Sequence, residues 1–246
     1  MVLITGPTGS GKTTTLYATL EKINNEKQKI ITVEDPVEYQ LDGITQIQAN
    51  ASIGLSFAQG LRSIVRQDPD VLMIGEIRDH ETAEIAIESA LTGHLVFSTL
   101  HTNDAAGAVT RLQDMGVQGY LISSSMLAIQ AQRLVRRVCT DCAETHPLST
   151  DEAAALDIDV NSISEVRRGS GCERCGETGY RGRVGLYELL IMSDAIRHHI
   201  ASGADANTIR DEAIIEGMKT LRQDALEKLA SGMTTPEEVV RVTRAI

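Results

Sequence analysis

The sequence predicts an α/β fold with a mostly parallel β-sheet covered by helices on both faces. In residues 1–115, short apolar runs alternate with longer amphipathic ones. Strands separated by helices favour parallel pairing, because a parallel crossover needs a connection as long as a helix. With 246 residues, 42% of them hydrophobic, the chain can bury a substantial core. At about 150 residues per domain, this length fits one large domain or one domain with an appendage.

Four strands and four helices are predicted in this first part, from apolar runs and helical periodicity respectively. The strands are expected at residues 2–5, 30–33, 71–74 and 95–99, and the helices at residues 13–24, 56–67, 82–91 and 105–115. Residues 36–54 are expected to form a hairpin or an irregular excursion with its turn at Asp42-Gly43. A long amphipathic helix is expected over residues 121–138.

The composition changes at Cys139. Residues 139–183 are rich in Cys, Gly and acids and contain few apolar runs, so they cannot bury much core. The remainder, from residue 186 onward, has a helical pattern, with helices expected at 194–202, 206–217, 221–231 and 236–244; Gly232 and Thr235-Pro236 mark a stop and a new start. We therefore divide the chain into an α/β core (1–138), a cysteine-containing subdomain (139–183) and a helical C-terminal region (184–246).

Composition and charge weigh against several classes of protein. The net charge is −11, both halves of the chain are acidic, and aromatic residues make up only 3% with no Trp, which disfavours nucleic-acid binding. No apolar stretch approaches the roughly 20 residues needed to cross a bilayer, and no signal peptide opens the chain. Met1 leads directly into a predicted buried strand, so we expect that an upstream region has been removed.

Residues 6–13 match the pattern G-x-x-x-x-G-K-[ST] of a phosphate-binding loop between a strand and a helix. Glycines let backbone amides curl around an anion, and the start of the helix adds partial positive charge. Lys12 can reach the β- and γ-phosphates and the Thr13 hydroxyl can ligate Mg²⁺. The alternative is a glycine-rich turn without a ligand. The residues expected to bind nucleotide are Gly6, Pro7, Thr8, Gly9, Ser10, Gly11, Lys12, Thr13 and Thr14.

Two predicted strands end in acids, as a phosphate site requires for holding water and metal. Glu34 and Asp35 follow the second strand, with Glu38 just beyond, and Glu76 follows the third strand after Gly75. The third strand resembles a Walker B strand but has Gly75 where that pattern has Asp, so we expect Glu76 to contact Mg²⁺ through water. Glu34 is then free to orient or deprotonate the attacking water. The alternative is that these acids only cap the following turns.

Two histidines and two arginines are weaker candidates. His101 follows the strand at 95–99, where it could sense the γ-phosphate, whereas His94 precedes that strand and lies at its opposite end. Arg62 and Arg66 are one helical turn apart and could reach phosphate on a neighbouring subunit. A structural histidine and a solvated helix face are the alternatives.

Four cysteines occur in two close pairs, Cys139 with Cys142 and Cys172 with Cys175. Without a secretory signal they indicate a reducing compartment and a metal rather than disulfides. Four thiolates favour tetrahedral Zn²⁺ with no open coordination position, hence a structural site. An iron–sulfur cluster and four unbound thiols remain alternatives. His146 lies close by in sequence but is not needed to complete four ligands.

Several stretches together resemble the secretion ATPases of the type II secretion and type IV pilus superfamily. They are GPTGSGKTTTLYATL (6–20), ITVEDPVEY (31–39), LRSIVRQDPDVLMIGEIRD (61–79), TGHLVFSTLHTNDAAGAVTRL (92–112) and GYRGRVGLYELL (179–190), the last following the paired cysteines. In that family they are the Walker A, Asp box, Walker B and His box elements and part of a zinc-binding subdomain. The serines at 123–125 and the segment 131–139 look closest to the type II secretion ATPase E subgroup.

The resemblance implies a RecA-like P-loop ATPase core at 1–138 with a small tetracysteine zinc subdomain, using ATP, Mg²⁺ and Zn²⁺. Lys12 and Thr13 would hold nucleotide and metal, Glu34 would be the catalytic acid, Glu76 the Walker B acid and His101 the His-box residue. It further implies a cytoplasmic homo-hexamer, peripheral at the inner membrane and docked on platform proteins, without nucleic acid or membrane insertion. Such a motor would power pseudopilus assembly and protein export.

Three other functions are weighed against this interpretation. One is pilus assembly by a closely related ATPase. Another is a nucleic-acid translocase with a RecA-like core, which the acidic charge and scarce aromatic residues disfavour. The third is a non-enzymatic nucleotide switch or adaptor. Fold alone does not choose among them, because the same sheet serves many purposes.

Overall fold

The computed structural model describes residues 1–25 and 27–243 of the chain. They form two compact units. The first comprises Met1–Ala131 and Leu189–Met218, and the second comprises Gln132–Glu188 with the chain from Lys219 onward. Among the described residues, no helix is both long and apolar enough to span a bilayer.

The sheet of the first unit is built mainly from parallel strands. In chain order they are β1 (Val2–Thr5), β2 (Ile30–Glu34), β3 (Thr45–Gln48), β4 (Val71–Ile74) and β5 (Leu95–Leu100), followed by β6 (Ala128–Val138) and β9 (Tyr180–Ile191), which contribute residues to both units. The order across the sheet is β3-β2-β4-β5-β1-β6-β9. All pairs from β3 to β6 are parallel, so the carboxyl ends of β1, β2, β4 and β5 meet at one edge. That edge is where open α/β sheets bind ligands.

Helices lie between these strands along the chain and, in the case of α7 (Asp194–Ala201) and α8 (Ala206–Ile215), after the last of them. They are α1 (Lys12–Ile23), α2 (Phe57–Ile64), α3 (His80–Leu91), α4 (Ala105–Asp114), α5 (Gly119–Ser125), α7 (Asp194–Ala201) and α8 (Ala206–Ile215). Apolar residues of α1 pack on those of the strands in a buried cluster formed by Ile4, Leu16, Tyr17, Leu20, Ile30, Leu41, Val71, Met73 and Phe97. Side-chain caps fix several helix starts; Asp79 and Asp104, for example, accept from backbone amides of α3 and α4.

The second unit combines a two-stranded antiparallel sheet with three helices. The strands are β7 (Ala143–Pro147) and β8 (Glu165–Gly169), in register with Ala143 opposite Gly169, and the helices are α6 (Thr150–Ala155), α9 (Leu221–Ala230) and α10 (Pro236–Thr243). Helix α9 packs against α10 and β8. A short 3-10 helix, Glu173–Cys175, carries part of the second cysteine pair.

The four strands and four helices predicted within residues 1–115 and the C-terminal helices are confirmed, and β1 and β4 match fully. The bounds agree to within about two residues, except that α2 ends at Ile64 and a 3-10 turn, Val65–Gln67, follows it. The prediction for residues 121–138 was wrong, because α5 ends at Ser125 and β6 begins at Ala128. Alternate residues Ile129, Ala131, Arg133 and Val135 are buried, as in a strand. The buried arginine hid this period-two pattern, and pairing with β1 decides the conformation.

Two further expectations need correction. Residues 36–54 were expected to form a hairpin or an irregular excursion; the hairpin is not found, since β3 pairs parallel to β2 with Ile31 opposite Thr45, whereas the excursion and its turn at Asp42-Gly43 are present. Residues 186–191, expected to belong to a helical region, complete β9 instead. The last predicted helix extends to Arg244, which lies outside the described residues.

Candidate active site and metal centre

The phosphate-binding loop connects β1 to α1. Gly6, Gly9 and Gly11 have φ values of 148°, 78° and 88°, which residues with a Cβ rarely adopt. A Cβ built on Gly9 would meet nothing within 4 Å, so space is open above the loop. Gly11 offers no side-chain cap to α1, which leaves the first amides of that helix directed out of its end. Such an end can hold an anion.

The side chain of Lys12 folds back across this loop. Its Nζ donates to the carbonyl oxygens of Gly6 at 2.8 Å and Pro7 at 3.1 Å, and the residue is largely buried. Thr13 and Thr14, the next residues of α1, are exposed. The positive charge of Lys12 is therefore fixed beside the loop, where it would neutralise part of a phosphate charge.

Glu34, the last residue of β2, is buried with only 3% of its surface exposed. Its Oε1 accepts hydrogen bonds from the Thr32 hydroxyl at 2.5 Å and from Gln46 Nε2 at 3.1 Å. Its Oε2 accepts from the Tyr17 hydroxyl. Uncharged donors thus hold the carboxylate in one orientation at the ligand-binding edge of the sheet.

Glu76 follows β4 and has charged or titratable partners. Its Oε1 accepts from the Arg78 guanidinium and its Oε2 lies 3.3 Å from His101 Nε2, just after β5. Burial opposes ionisation, but the hydrogen bond and charge of Arg78, with a smaller effect of His101, lower the pKa of Glu76. Glu76 is thus held as an anion between the ends of two neighbouring strands.

Hydrogen bonds tie these segments together at the edge of the sheet. The hydroxyls of Thr5, which ends β1, and Thr102 are 2.7 Å apart, and the Thr102 amide donates to the Thr5 hydroxyl at 2.8 Å. The Thr99 hydroxyl donates to the Gly75 carbonyl at 2.7 Å, next to Glu76. Hydrogen bonds therefore connect the strand end before the phosphate loop to the segment that carries His101, and connect β5 to the residue before Glu76.

The remaining candidates take no part in these hydrogen bonds. Arg62, on α2, is exposed and pairs with Glu81 on α3, while Arg66 is exposed in the following 3-10 turn. His94 precedes β5, and its Nδ1 lies 2.9 Å from the Ser89 carbonyl and 3.2 Å from the Thr92 hydroxyl at the end of α3. These contacts give His94 a role in closing a helix end.

The four cysteines of the second unit converge on one point. All four sulfurs lie within 4.8 Å of one another. The Sγ–Sγ distances are 3.9 Å for Cys139 and Cys172, 3.9 Å for Cys142 and Cys175, and 3.7 Å for Cys172 and Cys175. A tetrahedron with Zn–S bonds of about 2.3 Å has edges of about 3.8 Å. The cluster therefore matches a zinc site in donor type and spacing.

Backbone amides prepare part of this cluster for ionisation. The amides of Cys172 and Gly179 donate to the Cys175 sulfur at 3.2 and 3.3 Å. Burial alone would raise the pKa of Cys175, but these donors, together with hydrogen bonds from the Cys172 and Cys142 side chains, lower it to about 6. His146 is not in the cluster; its Nε2 lies 3.9 Å from Glu144.

Sequence reasoning missed four residues that contact the two glutamates: Tyr17, Thr32, Gln46 and Arg78. Thr32 could have been found, because residues two apart on a strand share a face. Tyr17 resembled an ordinary core residue of α1. Gln46 carried no signal, since only the parallel pairing of β3 with β2 brings it to Glu34.

Comparisons with known proteins agree on one family. Residues 1–241 match the sequence model of the type II/IV secretion system proteins. The chain is 51% identical over 244 residues to type II secretion system protein E of Aeromonas hydrophila, covering 99% of this chain and 48% of that protein. It is 51% identical over 243 residues to the type IV pilus assembly ATPase PilB of Thermus thermophilus, covering 98% and 27%.

Among solved structures, the X-ray structure of the Legionella pneumophila ATPase DotB is similar with a TM-score of 0.73 and 25% identity. That similarity covers 100% of this chain and 60% of DotB. The chain spans about half the length of the type II secretion system protein E of Aeromonas hydrophila. The fold is a RecA-like P-loop core with a tetracysteine subdomain and C-terminal helices, as the sequence predicted. With a family match over nearly its whole length, the chain belongs to the type II/IV secretion system protein family.

Proposed function

We propose that this chain is the ATP-hydrolysing motor domain of a bacterial type II secretion system, powering pseudopilus assembly and protein export from the cytoplasmic face of the inner membrane. The observation that carries the proposal is the meeting of the phosphate-binding loop, Glu34, Glu76 and His101 at one edge of a parallel sheet. The 51% identity to type II secretion system protein E of Aeromonas hydrophila supports the biological setting.

In the proposed reaction, water attacks the γ-phosphorus of ATP in line with the bond to the bridging oxygen, which leaves with ADP. Glu34 accepts the proton of that water as the new P–O bond forms. Lys12 and the amides of residues 6–14 neutralise charge on the phosphates. His101, hydrogen-bonded to Glu76, lies where a side chain can respond to loss of the γ-phosphate.

The residues present also fit two metal ions. Thr13, exposed at the start of α1, and Glu76, ionised after β4, offer the oxygen ligands that Mg²⁺ prefers, with Glu76 acting through water. When bound, Mg²⁺ neutralises charge developing on the phosphate oxygens. The four cysteines match structural Zn²⁺ in spacing, and we assign them a folding role without an open coordination position.

We further infer that the working form is a homo-hexamer, peripheral at the inner membrane and bound to its platform proteins. Arg62, on α2, and Arg66, in the following 3-10 turn, are exposed, and we propose that they reach a nucleotide on a neighbouring subunit. Arg62 would first have to leave Glu81. ATP binding and product release would then shift neighbouring subunits.

Substitution of Glu34 with Gln tests the hydrolytic proposal. The amide keeps the shape, and its single oxygen can still accept from Thr32 and Gln46 while its NH2 replaces Oε2 beside the Tyr17 hydroxyl. ATP binding should be retained, while loss of the proton acceptor should lower kcat by about 10²-fold or more. Steady-state phosphate release and the Kd for a nucleotide analogue should be measured in the full-length protein. Glu21→Gln, on the exposed face of α1, is the matched control. Unchanged turnover in Glu34→Gln would refute the assignment.

Pilus assembly is the second candidate, favoured by the 51% identity to PilB. The two proposals share their ATPase chemistry and differ in the partner that the motor drives. Expression of this protein in a strain lacking its secretion ATPase should restore export of secreted enzymes, and expression in a strain lacking its pilus ATPase should not restore pili. The reverse result would assign the protein to pilus assembly.

A further inference from the structure

The carboxylate of Glu34 has one acceptor position to spare. A carboxylate offers about four positions, two on each oxygen. Within the described chain, Thr32 and Gln46 fill both positions on Oε1, and Tyr17 fills one on Oε2. The second position on Oε2, beside the Tyr17 hydroxyl, is therefore the one left for a water molecule.

Tyr17 is fixed as a hydrogen-bond donor at this site. It is fully buried, and its ring stacks edge-to-face on Tyr39 with centroids 4.7 Å apart. Its hydroxyl oxygen accepts from the Glu38 amide at 3.2 Å and from Gln46 Nε2 at 3.4 Å, which leaves its proton for Glu34. Burial, followed by the hydrogen bond to Glu34, raises the pKa of Tyr17, so the phenol stays protonated.

The position of Tyr17 in the chain joins two parts of the site. Helix α1 begins at Lys12, the lysine of the phosphate-binding loop, and carries Tyr17 on its buried face. A helix is stiff over this length, because each residue is hydrogen-bonded to the next turn. A displacement of the loop would therefore be transmitted to the hydroxyl that holds Oε2 of Glu34.

We propose that Tyr17 is a positioning residue for hydrolysis: its hydroxyl turns Glu34 so that the remaining position on Oε2 receives the attacking water, and it couples that orientation to the phosphate-binding loop. This inference rests on the proposed ATPase function. It assigns Tyr17 no contact with ATP, so its effect should appear in the chemical step and not in binding.

The test is Tyr17→Phe, which removes the hydroxyl and keeps the ring in the core. We expect kcat to fall at least tenfold in the full-length protein, while the Kd for a nucleotide analogue changes less than twofold. Tyr39→Phe is the matched control, because Tyr39 contacts the same ring but is not a donor to Glu34. Tyr17→Phe should also be combined with Glu34→Gln. The hydrolysis rate of this double variant should be measured in single-turnover reactions with enzyme in excess.

The combined variant separates positioning from structure. If Tyr17 acts through Glu34, its substitution causes no further loss once Glu34 is Gln. An equal loss in both backgrounds, an unchanged kcat in Tyr17→Phe, or a parallel loss of nucleotide affinity and thermal stability would each overturn the inference. Full turnover in Glu34→Gln alone would instead refute the proposed function, whatever Tyr17→Phe does.

Discussion

Substitution of Glu238, in the second unit, tests most directly how much a buried and paired carboxylate contributes to stability. Its side chain is 1% exposed and lies between two arginines. Arg136 donates to it through its backbone amide at 2.7 Å and its Nε at 3.0 Å, and Arg241 donates through Nε at 2.9 Å and Nη2 at 2.7 Å. The Arg136 guanidinium also lies 4.0 Å from the centre of the Tyr180 ring. A buried anion is thus fully paired.

The contribution of Glu238 to the free energy of unfolding follows from the shift of its pKa. Burial would raise the pKa of Glu238, but Arg241 and Arg136 overcome this effect and lower it from 4.5 to about 2. Each pKa unit is worth about 1.4 kcal/mol, so the paired anion contributes about 3 kcal/mol to folding. Because the folded pKa is the lower one, this contribution is complete above pH 4.5 and is lost as the pH falls towards 2. About 1 kcal/mol should be lost by pH 4 and about 2 kcal/mol by pH 3.

Glu238→Gln isolates this contribution. Urea denaturation of the wild type and the variant at pH 7, 4 and 3 gives the difference in free energy of unfolding at each pH. We expect a difference of about 3 kcal/mol at pH 7 that shrinks as the pH falls, since other carboxylates and the cysteine cluster titrate in both proteins and cancel. Glu237→Gln, on the same helix with a half-exposed side chain paired to Arg168, should cost about 1 kcal/mol or less.

The pH dependence of the difference in unfolding free energy shows whether charge or packing makes Glu238 important. A difference that stays constant from pH 7 to pH 3 would mean that packing or shape, and not charge, makes Glu238 important. A difference close to zero at pH 7 would mean that the cost of burying the ion cancels its pairing with the two arginines, as happens in some buried ion pairs.

Two further predictions concern the cysteine cluster and the exposed Arg62. Cys172→Ser should release zinc, measured by metal analysis, and lower the melting temperature, while nucleotide affinity stays unchanged because the phosphate loop belongs to the other unit; a wild-type protein without zinc would contradict the metal assignment. Arg62→Ala should change the free energy of unfolding by about 1 kcal/mol or less, since its pair with Glu81 is exposed, yet lower the ATPase rate of the assembled protein. Equal ATPase rates of the wild type and Arg62→Ala would contradict the proposed role of Arg62 at the subunit boundary.

The sequence predicted the α/β core well because its signals are local. The strands β1 and β4 are continuous apolar runs, and the helices of the core have a clear amphipathic period. The order of the strands follows from tertiary pairing and was not predicted. For the same reason β6 was taken for a helix: its polar residues Gln132 and Arg133 are buried, which no single-sequence pattern indicates.

The predicted site residues divide in the same way. Parallel topology alone requires that the ends of β2 and β4, and therefore Glu34 and Glu76, lie at the edge that holds the phosphate-binding loop. The groups around them depend on contacts between distant segments. Gln46 reaches Glu34 only because β3 adds to the edge of the sheet, and His101 reaches Glu76 because β5 pairs directly with β4.

These surroundings give a physical reason to assign the two glutamates different tasks. The positively charged guanidinium of Arg78 lies beside Glu76 and lowers its pKa. Glu76 therefore accepts a proton less readily and remains an anion, which suits it to binding a hydrated metal ion. Glu34 is oriented by two hydroxyls and an amide, which donate hydrogen bonds without adding a positive charge. The lowered pKa of Glu76 therefore supports a metal-binding task for this residue in the proposed hydrolysis, with Glu34 as the proposed base.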